Sequence, residues 1–80
     1  MKMCNFINNN IIIDFKVPIA LQELMDLAET ADWENHLGTY IAYADAIDVS
    51  AKNCYDEGFI TKEMWEKICM RYEQWLKFTI

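Results

Sequence analysis

Eighty residues suffice for one domain and are too few for two, near the size at which a single core is barely adequate. Hydrophobic residues make up 54% of the chain and Gly plus Pro total three, so a packed core is expected and a linker is excluded. A net charge of −6 argues against direct contact with nucleic acid or an anionic membrane surface.

No apolar run approaches the length of a spanning helix or the core of a signal peptide, so a soluble, cytoplasmic protein is expected. Cys4, Cys54 and Cys69 are odd in number and lack metal-type spacing, which fits reduced thiols better than a disulfide framework. Residues 1–80 therefore read as a single domain, mainly α: a small three-helix bundle preceded by an N-terminal β-hairpin or strand.

Residues 1–17 carry the extended element. Ile11, Ile13, Phe15 and Val17 alternate with Ile12, Asp14 and Lys16, the period of a strand with one buried face. Asn8-Asn9-Asn10 is turn-prone, and Met3–Ile7 is the expected partner strand. An isolated hairpin is marginal in water, so this one must lie on the helices or pair with another chain.

The first helix is expected over 18–31, with Pro18 at its first position. Its apolar arc holds Val17, Leu21, Leu24, Met25, Leu27, Ala28 and Ala31, opposite Gln22, Glu23, Asp26, Glu29 and Thr30. A short connection, Asp32–Asn35, follows, placing Trp33 between helices. The second helix is expected over 35–57, about 34 Å long. Leu37, Tyr40, Tyr43, Ala44, Ile47, Ala51, Cys54 and Tyr55 form its apolar arc, opposite Asp45, Asp48, Lys52 and Asp56. One flank, Ala42, Ala46, Val49, Ser50 and Asn53, is made of small side chains that would let another helix approach.

Gly58 fits the left-handed position that ends a helix. Thr61 is a suitable N-cap for a third helix over 61–78, with Ile60 and Trp65 placed as a hydrophobic staple. That helix turns Met64, Trp65, Ile68, Cys69, Tyr72, Trp75 and Leu76 to one side. Folding back about residues 59 and 60 sets Ile68 opposite Ala51 and Trp75 opposite Ala44, large against small. The segment Gly58-Phe59-Ile60-Thr61-Lys62-Glu63-Met64-Trp65 resembles the capped turn of short helical-hairpin domains, a packing solution that implies no activity.

No catalytic, cofactor or metal motif is present. His36 is the sole histidine and has no serine or cysteine near it in sequence to activate. Asp45 and Asp48 share a helix face but lack the spacing of a calcium loop, and Lys52 stands four residues beyond Asp48 as an ion-pair partner. The aromatics fall in core arcs, without the cationic groove that a base-stacking platform needs. In the third helix Glu63 with Lys67 and Glu73 with Lys77 neutralise the cations that a DNA-recognition helix would present.

What remains is the charge itself. Between Pro18 and Ile60 stand nine acidic residues and one lysine, Lys52. The expected binding surface is Glu23, Asp26, Glu29, Asp32, Trp33, Glu34, Asp45, Asp48 and Asp56, directed at a basic protein surface. The reading is a non-enzymatic protein-binding module. Its sharper form is a nucleic-acid mimic that inhibits a nucleic-acid-binding enzyme. In composition the chain broadly resembles small acidic single-domain inhibitors of that kind, anti-CRISPR proteins among them. The alternatives are a self-associating homodimer and a degenerate helix-turn-helix regulator.

Overall fold

The computed structural model describes residues 6–8 and 10–72 and folds them into three helices: α1 (Ile19–Trp33), α2 (Leu37–Asp56) and α3 (Lys62–Tyr72). α2 is the centre of the bundle and packs on both α1 and α3. The mainly α, three-helix reading is therefore the observed one.

Pro18 stands at the N-cap of α1, one position before its expected place, and its carbonyl accepts the first helical bond from the Gln22 N–H at 3.0 Å. α1 then continues to Trp33, two residues beyond the expected end at Ala31. The stop is made by Asn35, which takes a positive φ of 60°. Its N–H donates to the Asp32 carbonyl at 3.1 Å, and the His36 N–H donates to the Ala31 carbonyl at 2.9 Å. This is a Schellman motif with asparagine at the left-handed position. Asn35 thus closes α1, and α2 begins after His36 instead of at residue 35.

α2 ends by the same device, here as expected. Gly58 has φ 82°, the Gly58 N–H donates to the Tyr55 carbonyl at 3.0 Å, and the Phe59 N–H donates to the Cys54 carbonyl at 2.9 Å. A Cβ on Gly58 would meet nothing within 4 Å, so only the left-handed backbone opposes a side chain there. Gly58→Ala should therefore cost about 1 kcal/mol, read as a lower denaturation midpoint with the same slope. An unchanged midpoint would mean that the turn does not depend on glycine.

Thr61 caps α3 as expected: its Oγ1 accepts from the Met64 N–H at 3.2 Å, and its carbonyl accepts from the Trp65 N–H at 3.0 Å. The Met64 sulfur returns the contact by accepting the Thr61 N–H at 3.4 Å, where a capping box would hold Glu or Gln. Ile60 is buried, and Trp65 is half-buried against the core and stacks on Tyr55 with ring centroids 5.0 Å apart. The expected continuation of this helix through residue 78, with Trp75 and Leu76, lies outside the described residues.

The apolar arcs meet as their periodicity demands. Leu21, Met25, Ala28 and Ala31 of α1 join Tyr40, Ala44, Ile47, Ala51 and Cys54 of α2, with Ile68 and Tyr72 of α3. Ala51 and Ile68 are both fully buried, as the large-against-small pairing requires. Leu27, at the edge of the expected arc of α1, is instead 45% exposed.

No strand occurs among the described residues. Ile11, Ile13, Phe15 and Val17 are partly buried while Ile12, Asp14 and Lys16 are exposed, so the period-2 alternation is real. Its buried side packs on the helices rather than within a sheet. Most of Met3–Ile7, the expected partner strand, lies outside the described residues. Residues 6–8 and 10–17 form a strap that bridges α1 and α3: Phe6 and Ile7 hydrogen-bond to Asp32 of α1, while Asn8 and Ile11 hydrogen-bond to Arg71 of α3.

The acidic helical surface as candidate binding site

Each acidic side chain is placed by the helix phase that buries its neighbours. On α1, Glu23 and Asp26 stand opposite Leu21, Met25 and Ala28 and are exposed. Asp26 accepts a hydrogen bond from Gln22 Nε2 at 2.9 Å, an i, i+4 contact along the helix. Glu34, at the C-cap of α1, is exposed. On α2, Asp45 and Asp56 are exposed on the side away from the core.

Two expected members lie at helix–helix seams. Asp48 is exposed but sits towards α3, where its Oδ1 accepts a contact from Cys69 Sγ at 3.6 Å. It forms no ion pair with Lys52, since within the described residues the ion pairs are Lys67 with Asp14 at 3.9 Å and Arg71 with Glu29 at 3.3 Å. Glu29 also accepts the Tyr72 hydroxyl proton at 2.8 Å, closing α1 against α3. Burial pushes the Tyr72 phenol well above its ordinary range, and the Glu29 carboxylate adds to the effect while Arg71 opposes it. Tyr72 is a neutral donor here.

Asp32 is a correction. It is 1% exposed and belongs to the interior, not to the docking surface. Its Oδ1 accepts from the N–H groups of Phe6 and Ile7, the second at 3.1 Å. The sequence does carry a signal for this. Leu21, Met25, Ala28 and Asp32 follow one seam at i, i+4, i+7 and i+11, so a helix long enough to include Asp32 must turn it inward. Ending α1 at Ala31 hid that. Trp33 likewise belongs to the last turn of α1 rather than to a connection, and it is 57% exposed.

Arg71 ties α3 to the strap and to α1. Its side chain is 12% exposed, Nη1 donates to the Ile11 carbonyl at 2.7 Å and Nη2 meets Glu29. Lys67, expected to pair with Glu63 on its own helix, lies beside Asp14 of the strap instead. Glu73 and Lys77 lie outside the described residues.

Among the described residues no group of three or more His, Cys, Asp or Glu could hold a metal ion, and no helix is long and apolar enough to cross a membrane. His36 is exposed at the N-cap of α2. Burial, with Glu57 adding, raises the Cys54 thiol against a lowering contact from Ser50. It is thus a protonated core group at neutral pH rather than a nucleophile. Comparison with family models, curated proteins and solved structures finds no match to the chain.

Proposed function

We propose that the chain is a non-enzymatic binding module whose carboxylates on α1 and α2 dock on a basic surface of another protein. One observation carries this. Glu23, Asp26, Glu34, Asp45 and Asp56 are all exposed, and none is within ion-pairing distance of a Lys or Arg among the described residues. Unpaired carboxylates on a rigid helical scaffold make a negative potential that a cationic partner relieves, giving fast and salt-sensitive association. The finer form is a nucleic-acid mimic that occupies the basic groove of a nucleic-acid-binding enzyme. An oligonucleotide substrate would then compete with the protein for that groove.

Engagement of Lys67 with Asp14 and of Arg71 with the strap and Glu29 argues against a DNA-reading α3, because those cations are already committed. Exposed Val49, beside Ala42 and Asn53 on α2, favours the homodimer as second reading. A monomer by light scattering at high micromolar concentration would remove it.

The test is capture of the partner by a fourfold charge reversal, Glu23→Lys, Asp26→Lys, Asp45→Lys and Asp56→Lys, beside the parent chain. All four positions are exposed, so the helical circular dichroism should be unchanged. Capture should be lost in the variant, and from the parent it should decline as salt approaches about 1 M, where screening is nearly complete. Equal capture by both proteins would overturn the reading.

A further inference from the structure

We infer that the partner presents a basic amphipathic helix, and that it lies along the outer seam of α1 made by Ile19, Glu23, Asp26, Thr30 and Trp33. This inference rests on the proposed docking function and gives it a place and a chemistry. The five positions follow i, i+4, i+7, i+11 and i+14, the spacing of one continuous seam, about 21 Å long. It is the counterpart of the seam of Leu21, Met25, Ala28 and Asp32 that the bundle consumes.

The seam has apolar ends and an acidic middle. Ile19 is 78% and Trp33 57% exposed, and Leu27 flanks them at 45%. Ile19 and Trp33 are two of several large apolar side chains that the described fold leaves exposed, and here they bracket a charged stripe on one helix face. Between the ends, Glu23 and Asp26 have no cation partner among the described residues. The Thr30 hydroxyl is turned to the Asp26 carbonyl at 3.1 Å, leaving the carboxylates as the polar groups of the stripe.

Charge selects the occupant. A second copy laid on this seam would bring its own Glu23 and Asp26 against these two, and an anionic membrane would be repelled likewise. A helix fits that carries apolar residues fourteen positions apart, with Lys or Arg at the two seam positions facing Glu23 and Asp26.

Two synthetic peptides of equal net charge test this: a helical one with leucines at the two ends of a lysine-bearing seam, and oligolysine. The helical peptide should bind about tenfold tighter, with amide chemical-shift changes concentrated on residues 19–34. Ile19→Ser should abolish that advantage and leave oligolysine binding unchanged. Equal affinity for both peptides, shifts centred on α2, or an Ile19→Ser variant with the parent's preference would each overturn the inference. In those cases continued binding of oligolysine would leave the proposed function standing. Failure of both peptides to bind at low salt would overturn the function and the inference together.

Discussion

Asp32→Ala is expected to cost about 3 kcal/mol, because two buried amides lose a charge-assisted acceptor. Asp32 is 1% exposed, and it accepts the N–H groups of Phe6 and Ile7, residues that are themselves 7% and 3% exposed. The loss is large for a domain of 80 residues, where one kcal/mol moves the melting temperature by about 4–8 °C. It should fall mainly on the strap, so the Phe6 and Ile7 amides should lose hydrogen-exchange protection before those of α2. Asp32→Asn keeps an oxygen acceptor but loses the charge, and should cost about half as much. A loss well under about 1 kcal/mol for the alanine variant, with both amides still protected, would show that the strap does not depend on Asp32.

Tyr40→Ala is expected to cost about 4 kcal/mol, at the upper end for a large core truncation. The Tyr40 side chain is fully buried and works in two directions. Its ring lies against Phe6 of the strap at a centroid distance of 5.2 Å, and its hydroxyl donates to the Tyr72 carbonyl of α3 at 3.2 Å. One side chain on α2 therefore fixes both the strap and the last described turn of α3. Tyr40→Phe separates the two contributions: it keeps the ring contact, removes the hydrogen bond to the Tyr72 carbonyl, and should cost about 1 kcal/mol. If Phe proved as costly as Ala in chemical denaturation, the hydroxyl and not the ring would dominate.

The helices were legible because each carries a strong period and chemically distinct ends. Gly58 and Thr61 announced their turns, and the arcs of α2 and of α3 as far as Tyr72 matched the buried and half-buried residues. The failures share a physical cause, a residue whose local preference and tertiary role differ. Asn35 serves as readily at a helix start as at a left-handed stop, and the Schellman hydrogen bonds decided for the stop. Asp32 looked like one more member of an acidic run until the added turn of α1 rotated it inward. The alternation from Ile11 to Val17 was correct about which side chains face the core. Periodicity reports a buried face, however, and does not say whether a strand or a pair of helices covers it. Arg71 could not be foreseen, because its partners Ile11 and Glu29 lie sixty and forty-two residues away.

Of the acidic positions expected to form the surface, the interior claims Asp32, and the α1–α3 seam holds Glu29 against Arg71 and Tyr72. Those two acids stabilise the fold, while Glu23, Asp26, Glu34, Asp45 and Asp56 are the exposed carboxylates that the proposed docking surface consists of. Association should therefore scale with the charge of these five and hardly at all with Glu29 or Asp32, provided the variant still folds. Affinity for the captured partner, measured by calorimetry between about 50 and 500 mM salt, tests this most directly. The dissociation constant should rise by at least about tenfold over that range for the parent chain, and the fourfold reversal should not bind at either end. A dissociation constant that stays constant with salt, or a reversed variant that binds like the parent, would contradict an electrostatic docking surface.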